Sequence, residues 1–230
     1  MSEAGAIVLE HVSVTFDRWG VTTEALREVN LKLAAPGWTL VSGHNGSGKS
    51  TLLGLIAGEV RATKGAVRVL GKNPARLSPH QRTRLIAVAR QRPEEGLVAG
   101  LTVEEHARLF GMTWSEFRDR LQRLGGANFA LIDPLQRRTI DYLSGGERQV
   151  LGLGLQLIRS SKILLLDEPF SALDPERFEA FVTITERLAK EKAVVQVTHE
   201  PELLRPRADR EIVLNRGEAR LVELKGDSAL

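Results

Sequence analysis

One octapeptide, GHNGSGKS at Gly43–Ser50, limits this chain to a small group of folds. It fits the pattern G-x-x-x-x-G-K-[ST], a phosphate-binding P-loop that runs from a strand into a helix. The flanking sequence meets that requirement, because an apolar strand is predicted at Trp38–Ser42 and an apolar helix at Leu52–Ala57. The alternative dinucleotide fingerprint G-x-G-x-x-G is not met, since Thr51 stands where its third glycine belongs. The motif therefore predicts an α/β nucleotide-binding domain.

The residues of this P-loop have distinct expected roles toward nucleotide phosphates. Its glycines let backbone N–H groups point inward at phosphate oxygens, and the following helix adds the positive end of its dipole. Lys49 is predicted to reach the β- and γ-phosphates, and the Ser50 hydroxyl is predicted to bind Mg²⁺. The residues expected to line the nucleotide are Gly43, His44, Asn45, Gly46, Ser47, Gly48, Lys49, Ser50 and Thr51.

A second string, LSGGERQ at Leu143–Gln149, predicts another anion site. Ser144 is a good N-cap for the helix that follows, and two glycines leave the helix N-terminus bare for a close phosphate. Within one subunit this anion site has no phosphate to bind, which argues for a second copy of the chain. The residues assigned to the site are Ser144, Gly145, Gly146 and Glu147.

Two adjacent acids end a predicted strand at Lys162–Leu166, whose uniformly apolar residues are typical of a strand buried on both faces. Asp167, at the tip of a strand beside the P-loop, is placed to hold Mg²⁺ directly or through water. Glu168 follows it, so its side chain leaves on the other face. There it is expected to polarise the water that attacks the γ-phosphate.

The order of these motifs resembles the ATPase subunit of ATP-binding cassette (ABC) proteins. The P-loop, LSGGE-x-Q and a strand ending in Asp-Glu follow one another as in that family. The resemblance implies ATP and Mg²⁺ as cofactors, with each ATP held by the P-loop of one copy and the signature string of another. It also implies that Gln91 touches Mg²⁺ and that His199 contacts the γ-phosphate, so the expected catalytic residues are Lys49, Gln91, Glu168 and His199.

The resemblance implies two further contacts with the nucleotide or the partner copy. Ser171–Asp174 (SALD) matches the D-loop, which crosses the dimer seam, and Asp174 is assigned to the nucleotide site. An aromatic residue usually stacks on the adenine, and Phe16 is the expected one. Trp19 is the alternative. A purely structural interpretation is that Phe16 only packs against neighbouring side chains.

The pattern of apolar residues favours one α/β domain over residues 1–230. Strands predicted at Ile7–Phe16 and Leu26–Leu33 form an antiparallel layer beside the P-loop strand, and a hairpin is expected at Arg210–Leu224. We expect a P-loop NTPase core of the RecA-like type with an antiparallel β subdomain. These parts occupy about 1–91 and 160–230, with an α-helical signature subdomain inserted at about 92–159.

Composition narrows the class of protein further. Hydrophobic residues make up 42% and charged residues 27%, as in a soluble globular protein. The chain has no cysteine, which excludes disulfides and cysteine-based metal sites. With no long apolar stretch and no secretory signal, we expect a cytoplasmic protein that reaches the inner face of the membrane through a partner. A net charge of +3 with scattered basic residues gives no reason to expect nucleic-acid binding.

The sequence supports two hypotheses for the function. The leading hypothesis is the ATP-hydrolysing subunit of an ABC transporter that dimerises around two ATP molecules and drives a separate permease, with an importer favoured. The alternative is a soluble ABC ATPase of DNA repair, chromosome organisation or translation. Proteins of that class usually carry a long coiled-coil insertion or two cassettes, and this chain shows neither. The sequence leaves the transported substrate and the choice between homodimer and heterodimer open.

Overall fold

The computed structural model describes residues 5–124, 133–170 and 173–225. The strands are β1 (Ile7–Arg18), β2 (Val21–Leu33), β3 (Gly37–Ser42), β4 (Lys64–Val69), β5 (Ile86–Ala89), β6 (Ile163–Asp167), β7 (Ala193–Val197), β8 (Arg210–Asn215) and β9 (Glu218–Glu223). The α-helices are α1 (Lys49–Ala57), α2 (Pro79–Leu85), α3 (Val103–Leu109), α4 (Trp114–Arg123), α5 (Gly145–Leu157), α6 (Pro175–Ala189) and α7 (Pro201–Leu204). None of the helices in these ranges is both long and apolar enough to cross a membrane.

Three strands form a separate antiparallel sheet in the order β2-β1-β4. The predicted strands are confirmed, and β2 begins earlier than its alternating pattern suggested, at Val21. Irregularities in the β1–β2 register accompany two residues with left-handed backbone conformation, His11 and Glu28. Bulges of this kind increase the local twist of a sheet. The buried face of this sheet packs in one hydrophobic cluster with α1, which positions the P-loop beneath it.

The second sheet sets the position of the candidate site. Its order is β5-β6-β7-β3-β8-β9, and all neighbours are parallel except the β8–β9 hairpin. β6 and β7 are almost wholly buried, as the uniformly apolar sequence of β6 predicted. Val41 of β3 and Asp167 of β6 both align with Val197 of β7. The carboxyl ends of three neighbouring strands therefore lie in one row, where open α/β sheets bind their ligands.

The range proposed for the helical subdomain, 92–159, contains α3, α4 and α5. Capping boxes begin all three helices, with Thr102 paired to Glu105 at α3. One hydrophobic cluster joins these helices to the sheet, from Phe117 of α4 to Leu166 of β6 and Val194 of β7. The helices and the six-stranded sheet are therefore packed around a shared core.

Candidate functional site

The P-loop joins β3 to α1, and its glycines are required by packing as well as by backbone conformation. Gly43 and Gly48 have φ values of 142° and 108°, which side-chain-bearing residues rarely adopt. A Cβ atom on Gly43 would lie 2.3 Å from the carbonyl oxygen of Leu214 in β8. A Cβ atom on Gly48 would lie 2.6 Å from the carbonyl oxygen of Ala25 in β2. Backbone atoms of both sheets therefore lie so close to the loop that they fix its conformation.

Lys49 lies inside the curve of the P-loop and is only 7% exposed. Its Nζ atom donates to the carbonyl oxygens of Gly43, at 2.7 Å, and His44, at 3.1 Å. His44, Asn45, Gly46 and Ser50 are exposed, so they are open to a ligand. Ser47, also assigned to the nucleotide, is fully buried, and its side chain is not open to a ligand. The loop thus surrounds the buried ammonium group of Lys49, while the loop residues His44, Asn45 and Gly46 are exposed.

Three of the predicted catalytic residues meet at one point. Glu168 follows β6 with a left-handed φ of 50°. Its Oε2 atom accepts a hydrogen bond of 2.6 Å from Nε2 of Gln91, and its Oε1 atom lies 2.6 Å from Nε2 of His199. The Glu168 side chain is 12% exposed, whereas that of His199 is 48% exposed. The carboxylate is therefore held at both oxygens by residues from the ends of β5 and β7.

Asp167, the last residue of β6, lies in an environment that disfavours its charge. Burial raises the pKa of Asp167 above its ordinary value, and the neighbouring Glu168 raises it further. Arg90 and Lys49 act in the opposite direction. Such a carboxyl gains from a nearby cation, which suits the predicted contact with Mg²⁺.

The residues predicted to hold Mg²⁺ are Ser50, Gln91 and Asp167, of which only Asp167 is charged. Among the described residues no group of three or more histidine, aspartate and glutamate side chains forms a metal cage. Mg²⁺ is usually bound by one or two carboxylates together with substrate phosphates and water, so one carboxylate with a hydroxyl and an amide fits this ion.

The signature string begins α5 as predicted, with Ser144 as N-cap. Ser144 Oγ accepts a hydrogen bond of 3.2 Å from the Glu147 amide, and Glu147 Oε2 accepts one of 2.7 Å from the Ser144 amide. Hydrogen bonds from the backbone amide and the side chain of Ser144 hold the pKa of Glu147 below its ordinary value. A Cβ atom on Gly145 would meet nothing within 4 Å. The helix N-terminus is thus open at Gly145, while Glu147 completes the capping box with Ser144.

The two remaining assignments are placed differently. Asp174 caps α6, accepting a 2.9 Å hydrogen bond from the Arg177 amide, while Ser171 and Ala172 of the D-loop lie outside the described residues. Phe16 and Trp19 lie at or near the turn of the β1–β2 hairpin, where they are 36% and 100% exposed. Both aromatic rings are therefore accessible, and the choice between them stays open.

Sequence reasoning missed residues that support the site from other elements. Arg90, next to Gln91, pairs with both carboxylate oxygens of Glu59 at 2.7 Å and acts on the pKa of Asp167. Gly152 of α5 packs against the segment after Gln91, since a Cβ atom there would lie 2.5 Å from the Pro93 carbonyl oxygen. Neither contact has a local sequence signal, because each joins segments that are far apart in the chain.

Comparison with known proteins identifies relatives of this arrangement. A family model described as "ABC transporter" matches residues 26–171. The thiamine import ATP-binding protein ThiQ of Histophilus somni is 35% identical over 78% of this chain and 84% of its own length. The molybdenum import ATP-binding protein ModC of Aromatoleum aromaticum is 36% identical over 88% of this chain and 55% of its own length.

A solved structure extends the likeness to the fold. The dimeric post-hydrolysis state of the ATP-binding cassette MJ0796, bound to ADP and Pi, is 27% identical and superposes with a TM-score of 0.79. The match covers 96% of this chain and 99% of that one. The predicted fold, a P-loop NTPase core with antiparallel and helical parts, is thereby confirmed.

Proposed function

The chain belongs to the ABC transporter family of ATP-hydrolysing subunits, and from that premise we propose that two copies close around two ATP molecules to drive a separate membrane permease. The observation that carries this proposal is the N-terminus of α5, a bare anion site whose Gly145 faces open space. A helix N-terminus with exposed amides attracts phosphate. A nucleotide on the P-loop of a second copy supplies that phosphate.

Within each site, each of these residues of the chain has a separate proposed role. Lys49 turns from the carbonyl oxygens of the P-loop to the β- and γ-phosphates, and the exposed loop backbone surrounds them. Ser50, Gln91 and Asp167 would hold Mg²⁺, which when bound would neutralise charge on the phosphate oxygens. Glu168 orients the attacking water and accepts its proton, while Gln91 and His199 fix the two carboxylate oxygens.

Nucleotide-dependent closure links this chemistry to transport. Each ATP bridges two subunits, so its higher affinity for the closed pair shifts the open–closed equilibrium. Hydrolysis removes the γ-phosphate bridge and lets the pair open, and a permease bound to the subunits follows that movement. The chain would then lie at the membrane through its permease.

The direction of transport is proposed from the relatives. ThiQ and ModC are import ATP-binding proteins, which favours import. Their names give different cargoes, thiamine and molybdenum, so they support the direction and no particular substrate. A soluble ABC ATPase remains the alternative, and co-purification of the full chain with an integral membrane protein distinguishes the two.

The sharing of sites between copies is tested by Ser144→Arg. The bulky cation would obstruct the N-terminus of α5 without touching the P-loop of its own subunit. We expect near-normal binding of one ATP per monomer, with loss of both ATP-dependent dimerisation and hydrolysis. Mixing this variant with Lys49→Ala should restore at most one composite site. If Ser144→Arg alone hydrolyses ATP like the parent chain, catalysis is not shared between subunits.

A further inference from the structure

A guanidinium group lies against the signature helix at the position of its second glycine. A Cβ atom on Gly146 would lie 2.5 Å from Nη1 of Arg177 and 3.4 Å from its Cζ. Arg177 belongs to α6, and its Nε atom pairs with Asp174 Oδ2 at 3.3 Å. Its side chain is 33% exposed. The absence of a side chain at Gly146 is therefore what admits this cation to the first turn of α5.

Two carboxylates hold the guanidinium in this place. Asp174 pairs with it, and the charge of Arg177 adds to the hydrogen bonds from Ser144 in holding the pKa of Glu147 below its ordinary value. The N-terminus of a helix carries partial positive charge, so the guanidinium and the amides of the first turn of α5 bring two positive groups close together. An incoming anion would stabilise that arrangement.

We propose that Arg177 is a phosphate-binding residue of the signature site, supplying a second positive charge to the pocket that receives the γ-phosphate from the partner copy. This inference rests on the proposed function, since it assumes that α5 receives that phosphate. Asp174 holds the guanidinium in place through the ion pair, and Gly146 keeps the path to it clear. Arg177 would thereby favour ATP over ADP in the closed dimer, because only ATP offers the terminal phosphate.

The test measures dimer formation in the Glu168→Gln background, where hydrolysis does not consume the nucleotide. Arg177→Met removes the charge and keeps an unbranched chain, and Arg177→Lys keeps the charge. We expect Arg177→Met to raise the ATP-dependent dimer dissociation constant about 10-fold, the usual scale for one charged hydrogen-bonding partner. Arg177→Lys should recover most of the affinity. ATP binding to the monomer, measured by calorimetry, should stay the same in both variants.

Two readouts separate this role from a merely structural one. The dimer dissociation constant should depend less on salt in Arg177→Met than in the parent, because one phosphate contact is lost. The melting temperature of the nucleotide-free Arg177→Met chain should change little, since an ion pair between partly exposed groups such as Arg177 and Asp174 contributes little to stability. A structural tether would instead show a lower melting temperature and an unchanged salt dependence, which would overturn the proposal.

A double-mutant cycle tests the link to Gly146. Gly146→Ala places a Cβ atom where Nη1 of Arg177 lies, so it should displace the guanidinium. If it acts through Arg177, adding Arg177→Met to Gly146→Ala should weaken the dimer little further, whereas independent effects would add. Additive losses would contradict the inferred link.

Failure of this inference can be told from failure of the proposed function. If Ser144→Arg abolishes dimerisation while Arg177→Met closes like the parent, the shared site stands and the role of Arg177 is overturned. If Ser144→Arg dimerises and hydrolyses ATP normally, the shared site itself is wrong, and the inference about Arg177 is overturned with it.

Discussion

His199 Nε2 lies 2.6 Å from Glu168 Oε1, although the two residues follow different strands of the central sheet. When Nε2 carries a proton, the imidazole donates a hydrogen bond to the carboxylate, which acts as the hydrogen-bond acceptor. Gln91 donates to the other carboxylate oxygen, so the side chain of Glu168, the proposed base, is oriented from both sides. This relationship ties the reactivity of Glu168 to the positions of two loops that flank β6.

Glu168→Gln should leave ATP binding intact and reduce hydrolysis by roughly 10²- to 10⁴-fold, the usual contribution of a general base. Glutamine has nearly the same shape, so it can remain between Gln91 and His199 without accepting a proton. The variant should trap an ATP-bound dimer that is visible by size-exclusion chromatography. The exposed Glu191→Gln serves as the control and should turn over normally. Near-normal turnover of Glu168→Gln would rule out Glu168 as the base.

Lys49→Ala should weaken ATP binding itself, by about 10- to 100-fold, since a buried cation facing the phosphates is lost. The same change removes the donor that now bonds the carbonyl oxygens of Gly43 and His44. Isothermal calorimetry with a non-hydrolysable ATP analogue measures the effect. Lys64→Ala, which removes an exposed lysine from β4, should bind normally. Unchanged affinity in Lys49→Ala would show that the P-loop is not the nucleotide site.

Asp167→Asn should raise the stability of the nucleotide-free chain and lower its ATPase activity. The pKa of Asp167 is raised in the folded chain by burial and by Glu168, so folding favours its protonated form. The contribution of that carboxyl to stability is complete below the unfolded pKa and is lost as pH rises through the folded pKa. Asparagine does not titrate. We therefore expect the nucleotide-free variant to melt above the parent near neutral pH, with a difference that shrinks as pH falls.

The same variant should reduce Mg²⁺-dependent hydrolysis by at least about 100-fold, because it removes the only charged residue proposed to hold Mg²⁺, an ion that stabilises charge in the transition state. Differential scanning calorimetry across pH and a steady-state ATPase assay give the two measurements. A nucleotide-free Asp167→Asn chain that melts below the parent near neutral pH would contradict the stated effect of burial.

Gly152→Ala should loosen the contact between α5 and the segment after Gln91. The added methyl group would lie 2.5 Å from the Pro93 carbonyl oxygen and 2.9 Å from the Glu94 nitrogen, both backbone atoms. Overpacking of this kind costs about 1–3 kcal/mol of unfolding free energy, measurable by urea denaturation. Gly96→Ala is the matched control, because a Cβ atom on Gly96 would meet nothing within 4 Å. Equal stability of both variants would show that the contact is not tight.

Sequence reasoning succeeded where the physical signal is local. The start of α5 at Ser144 and Glu147 follows from a capping box, in which two residues three positions apart satisfy each other's backbone amides. The end of α1 at Gly58 is similarly local, because glycine adopts the left-handed conformation there without strain. Such features depend on neighbours along the chain, and the P-loop itself is one of them.

The convergence of Gln91, Glu168 and His199 could be expected only from the family resemblance. Gln91 and Glu168 are 77 residues apart. They meet because β5, β6 and β7 are neighbours in a parallel sheet, and no residue pattern in any one strand specifies that order. The guanidinium of Arg177 beside Gly146 had no sequence signal at all, since it requires α6 to pack against the first turn of α5.

The sequence by itself thus determined the elements, their caps and the phosphate-binding loop, because these depend on backbone geometry within a few residues. Only the tertiary structure decided which side chains share a site and why Gly43 and Gly152 must be glycine. Those facts arise from close approaches between segments far apart in the chain. Their free energy depends on the packing of the whole sheet and its helices, which local preference does not encode.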